Sequence, residues 1–210
     1  DALPGENTFL ERLLAPLIQG EAQAAYARQV PRPDASPLEA FARRFNYPER
    51  PELRTAEDIP RLGIRAFFFS NVASAVETGT FRALGGFSEE VLVNEDMLFC
   101  ASLLKAGHRV AYVPEAWVLH SHRYTLPQAF RRYFDIGVFM AQAGLPSAGG
   151  EGMRFLSRQL AHLGGRLDLW PRAVLEAGCK YLAWHLGRRH RLLPCALCRR
   201  LSQLPAWWKP

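Results

Sequence analysis

The sequence predicts an α/β fold: a mixed sheet flanked by helices, followed by a basic helical extension. Three observations carry that expectation. Apolar runs of strand character at residues 66–76 ("AFFFSNVASAV"), 109–114 ("RVAYVP") and 116–120 ("AWVLH") alternate with helical segments, the pattern of a layered α/β body. The spacings between them are too short for regular βαβ crossovers throughout, so the sheet is expected to be mixed. After "GLPSAGGEG" (144–152), the clearest linker in the chain, only helical segments rich in Arg, Leu and Trp follow.

Each element has its own signal. Residues 7–18 place Phe9, Leu13 and Leu17 on one helical stripe, with Leu10 and Leu14 beside it. Pro16 is expected to bend or end that helix. "EAQAAYARQVPRP" suits a helix or a strand. Ser36, Pro37 and Glu39 form a strong helix start, with a capping residue, a first-turn proline and the glutamate of a capping box. Residues 47–64, rich in Pro, Glu and Arg, read as an exposed loop. Residues 66–76 read as a buried strand, and "GTFRALGGF" as a short helix closed by Gly85 and Gly86. Asn94 is placed to cap a helix over 95–106, with Gly107 ending it. "RVAYVP" and "AWVLH" read as two strands separated at Pro114, and Thr125 opens a long helix. There is no internal repeat, and no apolar run approaches the roughly 18 residues of a membrane-spanning helix.

These elements divide into a body (1–143), the linker (144–152) and a helical extension (153–210). Residues 151–210 hold 11 Lys and Arg against 3 Asp and Glu, a net +8, whereas residues 1–150 are net −2, so the +6 total is not a property of the whole surface. The split points to two regions with different partners. It also weighs against a nucleic-acid-binding protein, which needs an ordered basic surface. The four cysteines match no secreted disulfide scaffold, and a reducing cytosol is the expected setting. The chain starts at Asp1 rather than Met, which suggests a piece of a longer protein.

The chemistry-bearing residues each admit two readings. In Asn94-Glu95-Asp96, the acids can simply meet the positive end of a helix dipole, worth about 0.3–1 kcal/mol each. The same placement can aim an ionised carboxylate into a cleft as a general base. His120 and His122 can be surface residues at a strand end, or a neutral imidazole can ligate a divalent cation. Alternation sends the two histidines to opposite faces, and His120 lies within the strand run. Gln128 completes a capping box with Thr125, while Arg131 and Arg132 are either solvated or offered to a diphosphate. Cys195-x-x-Cys198 with His185 and His190 has some zinc-like spacing, but buried or interface thiols suit the Leu- and Arg-rich helix better. The tail, with Trp170, Trp184, Trp207 and Trp208 among cations, reads either as a solvated helical subdomain or as a contact with an anionic membrane surface through residues 153–210.

The order of the motifs carries more than any one of them. "DALP" is followed about seventy residues later by "FFFSNVASAVETGTFRALGGFSEEVLVNEDMLFCASLLKAGHRVAYVPEAWVLHSH" and then by "TLPQAFRRYFDIGVF". This arrangement resembles the C-terminal, acceptor-side half of the family 2 inverting glycosyltransferases of GT-A fold, and within them the rhamnosyltransferase branch. The resemblance spans residues 1 to about 142, and the tail more loosely. It implies that Asp96 is the general base, and that Asp1 and His120 are ligands of a divalent cation, Mg2+ or Mn2+. Glu95, Gln128, Arg131 and Arg132 would contact the donor diphosphate or the acceptor. Arg132 stands where processive members carry Trp, which argues against a processive synthase. The implied partners are a nucleoside-diphosphate sugar donor and a glycan or lipid-linked acceptor, with no nucleic acid. The implied location is cytoplasmic, peripheral on the inner face of the membrane. The resemblance further implies a nucleotide-binding half preceding Asp1, so that the 210 residues by themselves are expected to be inactive. The alternative is a non-catalytic membrane- or partner-binding module built on the same body.

Overall fold

The computed structural model describes residues 2–146 and 149–209. The chain forms two compact units. The first comprises Asp1–Ser88 with Asp96–His122, and the second Glu89–Glu95 with Arg123–Pro210.

The first unit is built on the expected mixed sheet. Its strands are β1 (Leu3–Pro4), β2 (Ala24–Val30), β3 (Glu52–Arg54), β4 (Ser74–Val76) and β5 (Val110–Leu119). β2 and β5 run parallel at the centre, β4 flanks β2 antiparallel, and β1 and β3 both pair antiparallel with β5. The ambiguous "AAYARQV" is therefore a strand, and alternation explains its two faces. On one side Ala25 and Ala27, with Ala111 and Ala116, present small side chains on which α1 (Phe9–Ile18) lies through Leu13, Phe9 and Leu17. On the other, Tyr26 stacks against Tyr112 with ring centroids 4.9 Å apart, beside Phe69. Pro16 does not end α1, which runs two residues further.

Three expectations are corrected. The run 66–76 is not one strand. Gly63–Phe67 is a 3-10 turn and only Ser74–Val76 pairs in the sheet. The apolar character of the run reflects the packing of Phe68 and Phe69 on Tyr26 and Tyr47, while Arg54, 1% exposed, donates to the carbonyl oxygens of Arg65 (3.1 Å) and Ala66 (2.7 Å). The loop expected over 47–64 contains β3 and the short helix α3 (Ile59–Leu62). "RVAYVP" and "AWVLH" are one strand, β5. Opposite β2 its register steps from Ala27↔Val113 to Arg28↔Trp117, leaving Pro114, Glu115 and Ala116 as a bulge. Proline cannot donate to a ladder, so it sits where the ladder is interrupted.

Helix α2 (Pro37–Asn46) begins with the capping box, Ser36 and Glu39 each satisfying the other's backbone N–H. Helix α4 (Thr78–Ala83) is closed by Gly85 and Gly86, both at positive φ. Helix α5 (Glu95–Lys105) is held by Phe99, whose ring meets Phe81 and Phe87 at 5.2 and 5.3 Å.

The second unit is helical: α6 (Leu126–Gln142), α7 (Glu151–Leu163), α8 (Trp170–Arg188) and α9 (Cys195–Leu201). α6 starts with the expected Thr125–Gln128 capping box. Counted with the body in the sequence reading, α6 belongs with the C-terminal helices because it crosses α8 at glycines. A Cβ on Gly187 would lie 2.0 Å from the carbonyl oxygen of Phe134, and one on Gly137 would lie 2.3 Å from that of Trp184. Backbones this close tolerate only glycine. The segment expected as a linker (144–152) includes residues 147 and 148, which lie outside the described residues.

Candidate functional site

In open α/β sheets, sites form at the carboxyl ends of parallel strands. In the first unit those ends are Gln29–Val30 of β2 and Leu119–His120 of β5. His120 extends the pairing by one bond, its backbone N–H donating to the Val30 carbonyl at 2.9 Å.

The His120 side chain is 5% exposed, and its Nδ1 has no hydrogen-bond partner among the described residues. Burial, reinforced by His122, Arg43 and Arg32, brings its pKa down to about 4. The ring is therefore neutral at neutral pH and keeps a lone pair. The exposed His122 ring stands edge-on to it at 4.4 Å.

A polar cluster fills the space beside these strand ends. Gln29, 3% exposed beside Arg28 near the end of β2, donates from Nε2 to Ser70 Oγ at 2.8 Å and accepts from Arg43 Nη1 through Oε1. The buried Tyr47 hydroxyl hydrogen-bonds with Ser70 and Arg43, and burial pushes its pKa up to about 12. The residue after Ser70 is Asn71, whose backbone N–H donates to Asp96 Oδ2 at 3.2 Å. The other carboxylate oxygen of Asp96 accepts from the Met97 N–H at 2.8 Å. Asp96 is half-buried in the first turn of α5 and contributes to the field at Tyr47. Asp96 and His120 thus border one cluster at one end of the parallel pair. Asp96 reaches it through Asn71, and His120 through the charge of Arg43.

The remaining sequence-derived residues belong to the second unit or lie outside the described residues. Asp1 lies outside the described residues. Glu95, half-buried, opens α5, and the division between the units passes between it and Asp96. In the second unit, the Gln128 side chain accepts from the backbone and hydroxyl of Thr125, both at 2.9 Å, so its capping role is realised. Arg131 is exposed. Arg132 donates from Nη2 to Asn94 Oδ1 at 3.2 Å. Asn94 was expected to cap α5, but it adopts φ +59°, outside the extended range of a capping residue. Asparagine tolerates this left-handed conformation better than most residues, and its side chain serves Arg132 instead.

Among the described residues, no group of three His, Cys, Asp or Glu side chains is placed to hold a metal ion. This sets aside the zinc reading of Cys195 and Cys198, whose thiols point to the carbonyls of Lys209 and His190. Among the described residues, His120 offers a buried, neutral nitrogen with no hydrogen-bond partner. Imidazole is a borderline ligand for divalent first-row metal ions, and such an ion would complete its shell with other ligands and water. Sequence reasoning missed Gln29, Arg43, Tyr47 and Ser70. The available signal was a polar Gln near the end of a largely apolar run, because buried polar groups are the informative ones.

No protein-family model matches the chain. Two curated proteins are similar over 99% of the chain and 68% of their own length. They are the O-antigen chain rhamnosyltransferase WbaN of Salmonella anatum, 39% identical over 214 residues, and the O-antigen chain rhamnosyltransferase RfbN of Salmonella typhimurium, 37% identical over 214 residues.

Proposed function

Because the chain belongs to the O-antigen chain rhamnosyltransferases and is thus a glycosyltransferase, we propose that it moves rhamnose from a nucleoside-diphosphate donor to an O-antigen glycan or its lipid-linked precursor. The transfer inverts the anomeric centre, and the chain is the acceptor-side part of a family 2, GT-A transferase. The observation that carries this reading is the placement of Asp96 and His120 on one polar cluster at the carboxyl ends of β2 and β5.

In this reading the acceptor hydroxyl oxygen attacks the anomeric carbon as the bond to the donor phosphate oxygen breaks. The departing nucleoside diphosphate leaves with the bonding electrons, and the hydroxyl proton passes to Asp96. Backbone donors from Asn71 and Met97 fix the carboxylate's orientation. Arg32 and Arg43, which surround His120 electrostatically, bring positive charge to the donor side. His120, with the Asp1 assigned by the resemblance, would hold a divalent cation. When bound, such a cation neutralises charge on the departing diphosphate. Glu95, Gln128, Arg131 and Arg132 keep the donor and acceptor roles that the resemblance gives them.

The test is transfer by the full-length enzyme that contains this chain, from a thymidine-diphosphate rhamnose donor to lipid-linked acceptor, read by product formation. Asp96→Asn should lower kcat by about a hundred- to ten-thousand-fold, the range of a lost general base, with donor KM unchanged. Transfer at the normal rate would remove Asp96 from that role.

A further inference from the structure

Helix α8 carries apolar side chains on two sides, and among the described residues only one of these sides is buried. Ala173, Ala183 and Gly187 are buried, and the Gly187 backbone lies against α6. On another face Val174, Leu175, Tyr181 and Leu182 follow helical spacing around Gly178, and they are 51, 58, 67 and 55% exposed. A helix apolar all round belongs in an interior, yet this stripe meets solvent. Contiguous apolar surface of this kind marks a contact.

The surrounding charge identifies the partner. No charged side chain interrupts the stripe between Val174 and Leu182, the exposed Arg172 and Arg189 stand near its two ends, and residues 151–210 carry a net +8. A second copy would bring +8 against +8, so self-association through this face is opposed by its own field. An anionic lipid surface answers both features, taking apolar side chains at headgroup depth and cations against its phosphates. No helix among the described residues is long and apolar enough to cross a membrane, and a helix lying in the interface plane needs no such length.

We infer that the Val174–Leu182 face of α8 is a peripheral membrane-binding surface selective for anionic lipid. It rests on the second unit alone and is independent of the transfer reading, so its test uses no activity measurement. The purified full chain is sedimented with vesicles of phosphatidylglycerol and phosphatidylethanolamine, and with vesicles of phosphatidylcholine alone. The expected result is about tenfold or stronger preference for the anionic vesicles, diminished by salt. Leu175→Glu/Leu182→Glu should lose binding by about tenfold or more, and Arg172→Glu should lose part of it. Both positions are exposed, and circular dichroism confirms that the variants fold. Three outcomes overturn the inference. These are equal binding to both vesicle types, undiminished binding of the folded double variant, and a concentration-dependent dimer that the double substitution dissociates.

Discussion

The crossing of α6 and α8 permits a test in which one substitution, made twice on one helix, has opposite signs. At Gly178 a Cβ would meet nothing within 4 Å, whereas at Gly187 it would lie 2.0 Å from Phe134 O, 2.9 Å from Phe134 C and 3.0 Å from Gly137 Cα. Replacing an open helical glycine by alanine stabilises by about 1 kcal/mol. The same gain operates at Gly187, but all three obstacles are backbone atoms and none can rotate aside. Bringing the shortest contact to 3.0 Å requires the helices to part by about 1 Å, which forfeits roughly a quarter to a half of each dispersion contact across the gap. Phe134, Val138 and Ala183, all fully buried, lie along α6 and α8. Overpacking costs about 1–3 kcal/mol, occasionally more, and at this separation the upper end applies. Gly187→Ala should therefore destabilise by about 2 kcal/mol net, and the two variants should differ by about 3 kcal/mol. Urea titration followed by circular dichroism reads both midpoints. If Gly187→Ala proved as stable as Gly178→Ala, the backbone contact between α6 and α8 would be refuted.

Three further outcomes are expected. His120 has its pKa lowered by burial, so as pH falls from about 6.5 toward about 4 the unfolded ring takes a proton that the folded ring refuses. Stability should fall across that window, and His120→Gln should flatten the decline in urea midpoints. Asp135 is buried, accepts from the Gln203 N–H at 2.8 Å and has its pKa raised, first by burial. Its contribution is present in acid and lost as pH rises, so Asp135→Asn should raise the thermal midpoint at neutral pH and remove that dependence. Ser70→Ala takes the hydroxyl from Gln29 and Tyr47, leaving buried polar atoms unsatisfied at a cost of about 1–3 kcal/mol, which thermal unfolding will show.

What the sequence disclosed was local. The capping boxes at Ser36–Glu39 and Thr125–Gln128 are contained in four residues each, and both formed as read. The glycines ending α4 and α5 were equally plain, because positive φ is a local demand. Burial was harder to read. "AFFFSNVASAV" has the composition of a strand, but its Phe68 and Phe69 rings pack on Tyr26 and Tyr47, which lie more than twenty residues away. Pro114 read as a terminus because a bulge and a strand end look alike without the partner strand. The site divided along the same line. Asp96 and His120 were found through a resemblance in motif order. The cluster they border joins Gln29 to Ser70 across 41 residues, and no spacing rule reaches that far. Asn94 was misread because its partner Arg132 lies 38 residues on.

The bulge in β5 acts as a parity switch. Pro114, Glu115 and Ala116 are an odd number of residues between consecutive partners on β2, and in an extended chain each added residue turns the next side chain over. From Trp117 onward, every side chain of the strand therefore projects opposite to where an uninterrupted ladder would send it, and the imidazole at its end inherits that inversion. A deletion that slipped the register beyond the bulge by one residue would turn the ring to the other face with no change in the ring's own chemistry.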